Sequence, residues 1–116
     1  MKLRNWLEEE LRALPEVKVE LWKNSDLMCV FYRGKEIAHF HDHEEIDVRL
    51  SLAFIKREEI TPLQDSKYHP DRSKKSRWMR LRFQTNQETE KLLNLIVRLI
   101  KDEYQATNWG KIHNDT

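Results

Sequence analysis

Three histidines two apart, His39, His41 and His43, run directly into Glu44, Glu45 and Asp47, the densest stretch of metal-ligating and proton-exchanging side chains in the chain. In an extended strand, residues two apart share a face at a spacing of roughly 6.6 Å, so His39 and His41 can converge on one ion, anion or substrate. Asp47 sits on the polar side of the next alternating run, Ile46-Asp47-Val48-Arg49-Leu50. Two imidazoles and a carboxylate suit a divalent transition metal such as zinc, iron, nickel or manganese, which makes His39, His41 and Asp47 the candidate metal ligands. His69 is a fourth candidate, folded back over them from a later loop. Against this stands a plainer reading, in which the histidines and Asp47 pair with Arg49, Arg80 or Arg82 as ordinary cross-strand neighbours.

A second constellation is aromatic and basic. Trp22, Trp78, Arg49, Arg80 and Arg82 fall on polar strand phases, where indoles could stack on a base or ring and guanidinium groups could grip an anion in forked geometry. The alternative is that the tryptophans cover each other, or lie under the segment 64–76, as a small second core. Between Lys67 and Arg82 the chain carries Lys67, Arg72, Lys74, Lys75, Arg77, Arg80 and Arg82 against one acid, Asp71, which keeps nucleic acid among the candidate partners.

Composition removes several classes. The net charge of +1 gives no global field toward nucleic acid or membrane. Only Gly34 and Gly110 are glycines, so no phosphate-binding glycine loop can form, and Ser25, Ser51, Ser66, Ser73 and Ser76 occupy no glycine-flanked elbow. Cys29 is the single cysteine and lies in the apolar run Leu27 to Tyr32, which reads as core. A nucleophilic enzyme is therefore poorly supported, and whether the chain catalyses anything stays open. The opening MKLRNWLEEE has acids where a signal peptide needs an apolar stretch, and no run approaches a membrane span, so a cytoplasmic protein is expected.

The elements that must position these groups follow from periodicity. Leu3, Trp6, Leu7, Leu11 and Leu14 recur at helical spacing up to Pro15, which disfavours helical geometry in the residue before it. The period then changes to two at Val17, Val19 and Leu21. A strand apolar on both faces is expected over Leu27 to Tyr32, a tight turn at Arg33-Gly34, and a third strand from Glu36 to about His41. Asp42 to Glu45 form a charged connection to a fourth strand. Ser51 caps a short helix over Leu52 to Glu59, the segment 64–76 is a long loop, and a fifth strand carries Met79, Leu81 and Phe83 on one side. Thr85 and Glu88 form a capping box ahead of the longest helix, about Gln87 to Tyr104.

The order α-β-β-β-β-α-β-α predicts one α+β domain over residues 1–104, with a polar tail over 105–116. It would hold a single antiparallel sheet of about five strands and two longer helices on one face. Val17, Val19, Leu21, Ala38, Phe40, Ile46, Val48, Leu50, Met79, Leu81 and Phe83 would face those helices. Trp22, His39, His41, Asp47, Arg49, Trp78, Arg80 and Arg82 would collect on the other face. A single bulge would transfer part of either set.

The stretch Glu36 to Tyr104 resembles the small, mostly bacterial luciferase-type domain family, formerly a domain of unknown function. The residues that carry the resemblance are Ile37-Ala38-His39-Phe40-His41, Ile46-Asp47-Val48, His69, Trp78 and the Leu-rich closing helix. The chain departs from the pattern at His43, at Lys74-Lys75 and at Arg77, where a glycine is expected. Nothing in the residues argues for light emission. A weaker likeness, in element order and the late tryptophan strand, is to bacterial double-wing DNA-binding domains.

These readings converge on a domain that binds a small anionic or polar ligand in a His/Asp/Trp/Arg cleft on the open sheet face. A nucleic-acid or protein-interaction module using that face is the alternative, and self-association is the simplest case of the latter.

Overall fold

The computed structural model describes residues 2–60 and 77–105. The segment 64–76 with His69, and the tail from residue 106, lie outside the described residues. Helix α1, Leu3–Arg12, buries Leu7 and Leu11 and ties its outer surface with the i,i+4 pairs Arg4–Glu8 and Glu8–Arg12. It stops before the expected Leu14. Its C-cap, Ala13, still has helical backbone angles, and Glu16, at φ 64°, swings the chain into the sheet.

Five strands follow: β1 (Val17–Leu21), β2 (Met28–Tyr32), β3 (Lys35–Phe40), β4 (Glu45–Leu50) and, after helix α2 (Leu52–Glu58), β5 (Arg77–Arg82). They form one antiparallel sheet in chain order, β1-β2-β3-β4-β5, as the periodicity predicts. Arg33 and Gly34, with φ of 50° and 83°, give the β2–β3 turn a left-handed path that matches strand twist. Ser51 caps α2 by accepting the Phe54 N–H at 3.0 Å. Thr85 and Glu88 form the reciprocal box that starts α3 (Asn86–Leu99). Beyond Leu99 the helix widens into a π-helical turn, Ile100–Gln105, where a continuous α-helix to Tyr104 was expected.

Helices α1 and α3 lie on one sheet face. Leu7, Leu11, Leu92, Ile96 and Leu99 pack with Val19, Val30, Phe40, Ile46, Val48 and Met79 into the core. Leu21 does not join them: at the end of an edge strand it remains 50% exposed. No helix among the described residues is long and apolar enough to cross a membrane.

A bulge in β3 shapes the other face. The β2–β3 register passes from Val30↔Ala38 to Phe31↔Glu36, leaving Ile37 without a partner of its own. Ile37 and Ala38 are consecutive yet both fully buried in the helix-side core. Glu36 and His39, three apart, consequently share the open face, which regular alternation would forbid.

Candidate functional site

Three neighbouring strands each bring one polar side chain to a single row. His39 on β3 stands opposite Asp47 on β4, and Asp47 stands opposite Arg80 on β5. The contacts follow the register. His39 Nε2 lies 3.0 Å from Asp47 Oδ2, Arg80 Nε donates to Asp47 Oδ1 at 3.0 Å, and an Arg80 Nη donates to Oδ2 at 3.4 Å. Asp47 is only 3% exposed, so these contacts are its substitute for water. Burial by itself would raise its carboxyl pKa. Hydrogen bonds from His39 and Arg80, and the Arg80 charge, reverse that and hold it well below the usual carboxylate range. The same hydrogen bond stabilises the Arg80 guanidinium in its charged form.

An ionised carboxylate can only accept, so Nε2 carries the proton in the His39–Asp47 contact. The other ring nitrogen, Nδ1, is buried and makes no hydrogen bond. It does lie 3.3 Å from Glu36 Oε2, at ion-pair distance but outside hydrogen-bond geometry. Trp78 closes one side, its ring tilted 42° against the imidazole with centroids 4.7 Å apart. Cys29 stands opposite His39 on the β2 side. Burial, then the hydrogen bond and charge of Glu36, push its thiol up to about 12.

Cys29 is fully buried, as its apolar run predicts, and its thiol lies beside Glu36 and His39, outside the helix-side cluster. Glu36 was missed altogether, because only the bulge brings it to this face.

The remaining candidates divide. In the next row toward the β3–β4 turn, Arg82 pairs with Glu45 at 3.4 Å. His41 is exposed, and its backbone N–H bonds the Glu45 carbonyl. The His39, His41 and Asp47 ligand set does not converge. Among the described residues, the group of three ligating residues whose atoms all come within 4.8 Å of one another is His41, Asp42 and Glu45 at the hairpin end. Trp22 and Trp78 are separated as well. They belong to opposite ends of the sheet order, four strand spacings or about 19 Å apart. Trp22 stacks instead on Phe31, with centroids 6.1 Å apart and planes at 19°. The joint indole platform and the mutual covering of the two tryptophans both fail on that distance. Arg49 is opposite Trp78 in register but lines a separate cleft with Lys35, Ser51 and Tyr104.

Clefts between α1 and α3, beside β1, behind Tyr104 and at the α1–His43 junction are lined by described residues outside the His39 cluster.

Comparison with known proteins places this geometry. No curated protein and no solved structure matches the chain, and nothing supports the DNA-binding likeness. The luciferase domain family model matches residues 34–99, from the β2–β3 turn to the end of α3, a span holding Glu36, His39, Asp47, Trp78 and Arg80. More than half of the chain is matched, and it belongs to the luciferase domain family.

Proposed function

We propose that the open sheet face around His39 is the ligand-binding surface of this domain, and that it takes a small, polar, uncharged molecule. Membership of the luciferase domain family supports small-molecule binding in general terms. The observation that carries the finer reading is the buried Nδ1 of His39. The rest of the cluster is hydrogen-bonded, while this nitrogen faces a carboxylate without bonding it. A buried polar atom left unsatisfied costs about 1–3 kcal/mol, and a ligand NH₂ group that donates one proton to Nδ1 and the other to the Glu36 carboxylate removes that cost.

Charge argues against the anionic half of the earlier expectation. Arg80 is committed to Asp47 and Arg82 to Glu45, and Glu36 adds a negative charge. An anion entering here meets carboxylates before it meets a guanidinium with capacity to spare. The same commitment weakens the nucleic-acid alternative, which needs arginines turned toward phosphate. Asp47 and Arg80 act as positioning residues: they fix the imidazole tautomer and ring plane, and Trp78 supplies the apolar wall.

The test is a thermal-shift screen of small polar compounds, followed by ¹⁵N spectra of the His39 ring. Genuine ligands move the Nδ1 resonance and lose at least tenfold in affinity in His39→Gln. Ligands that leave that resonance in place, and bind His39→Gln as well as the parent, overturn the reading.

A further inference from the structure

Arg49 stands apart from the other arginines. Every other arginine whose side chain is described, from Arg4 through Arg98, holds a carboxylate in an ion pair. Arg49 makes neither an ion pair nor a hydrogen bond among the described residues, although it is partly buried and the chain carries nearly equal numbers of acids and bases. Its side chain lines a cleft of about 210 Å³ with Lys35, Ser51, Glu103 and Tyr104. A guanidinium partly withdrawn from bulk water with no carboxylate in ion-pair contact among the described residues carries a desolvation cost that a bound anion offsets.

The walls define what would fit. Lys35 Nζ sits 5.4 Å above the Tyr104 ring, so a second cation borders the same space, and it too has no ion pair among the described residues. Glu103 brings one negative charge, and its carboxylate accepts a hydrogen bond from the Ser51 hydroxyl. Among the described lining residues, two cations and one carboxylate sum to one net positive charge. Tyr104 stays a neutral phenol: burial raises its pKa, the Arg49 charge opposes that, and Glu103 adds to it. Glu103 and Tyr104 both belong to the π-helical turn Ile100–Gln105, and such turns re-aim side chains that a continuous α-helix would place elsewhere. At about 30 Å³ per water, the cleft of about 210 Å³ has room for roughly seven waters, enough to seat one oxyanion group.

We propose that this cleft binds a small oxyanion, a carboxylate or phosphate group held by the forked guanidinium of Arg49 with Lys35 beside it. The site is separate from the His39 cluster and stands whether or not that cluster binds a ligand.

The test titrates the intact protein at low ionic strength with inorganic phosphate and, separately, with acetate, following the Arg49 Nε–H and nearby backbone resonances. Saturable shifts centred on Arg49 are expected. Arg49→Met, which keeps the aliphatic stem, should weaken binding at least tenfold, and Glu103→Gln, which removes the opposing charge, should tighten it several-fold. Lys35→Met gives a second charge-removing variant should Arg49→Met fail to fold. A response to phosphate alone assigns a phosphoryl group, to acetate alone a carboxylate, and to both a general oxyanion site. If neither anion shifts Arg49 at tens of millimolar, or a folded Arg49→Met or Lys35→Met variant binds as tightly as the parent, the proposal fails.

Discussion

Replacing Asp47 by Asn changes one oxygen to an NH₂ and leaves the volume almost unchanged, yet it should be among the most damaging substitutions on the open face. The carboxylate accepts from His39 at 3.0 Å and from Arg80 at 3.0 and 3.4 Å while only 3% exposed. Asn offers a single acceptor oxygen. Whichever way its amide is flipped, its NH₂ confronts a donor on Arg80 or His39. Arg80, with its side chain 16% exposed, then holds a charge with no counter-ion. Removing one partner of a buried pair costs about 3–5 kcal/mol, and the residual exposure of Arg80 argues for the lower end, about 3 kcal/mol. In a domain of this size that lowers the melting midpoint by on the order of 15 °C. Urea unfolding of the parent, Asp47→Asn, Arg80→Met and the double variant measures it. Because the double variant no longer holds an orphaned cation, it should be less destabilised than the sum of the singles, with a coupling of about 2 kcal/mol. The pH dependence has a fixed sign. A carboxyl held below its ordinary value of about 3.9 contributes its full stability above that value and loses it as the pH falls toward the folded-state pKa. Below about pH 4 the parent should therefore lose stability more steeply than Asp47→Asn. A loss under about 1 kcal/mol in Asp47→Asn, or additive single variants, would refute the account of this row as a coupled ionic unit.

Cys29 should resist alkylation in the folded protein: fully buried, with its thiol pushed up to about 12, it should react with iodoacetamide at pH 8 at least a hundredfold more slowly than in urea. Comparable rates in the two states would remove it from the interior of the open face. Gly34→Ala should destabilise by about 1 kcal/mol through backbone geometry alone. The residue sits at φ 83°, and an added Cβ meets nothing within 4 Å, so a much larger loss in urea unfolding would mean that the turn is held by contacts instead. Thr85→Ala removes the side chain that accepts the Glu88 N–H at 3.1 Å and should cost about 1 kcal/mol, while Thr85→Ser should retain most of the stability. Equal losses in both variants would mean that the hydroxyl is not what matters.

The fold was legible because its signals are local. Period-two runs, a Gly-containing turn and a capping box each act within a few residues, and five strands joined mostly by short turns have little choice but to pair in chain order. His39, Asp47 and Arg80 were legible for the same reason: their phases come from regular stretches of β3, β4 and β5. Glu36 was hidden, because a bulge is one extra residue with no compositional mark, and Ile37-Ala38 reads as ordinary alternation until the β2 register shows both turned inward. Cys29 was legible as buried, but the side its thiol takes was not, because Leu27 to Tyr32 is apolar on both faces and hydrophobicity alone does not distinguish them. Trp22 and Trp78 were joined on phase alone, which says which face a residue occupies but not how many strands separate it from another on that face. Arg49 was legible as a candidate anion ligand but its cleft was not: the π-helical turn that lines it has no signature in a Leu-rich helical repeat.

The row His39, Asp47, Arg80 is assembled from contacts of very different reach along the chain. His39 and Asp47 are 8 residues apart and meet when a single hairpin closes, whereas Arg80 is 33 residues from Asp47 and must return across α2 and the segment after it. Loop-closure entropy favours the short connection, so during folding the imidazole reaches the carboxylate first and the guanidinium arrives late. The Arg80 contact then acts as a latch on unfolding rather than a guide to folding: weakening it speeds escape from the native state and leaves the forward rate nearly untouched.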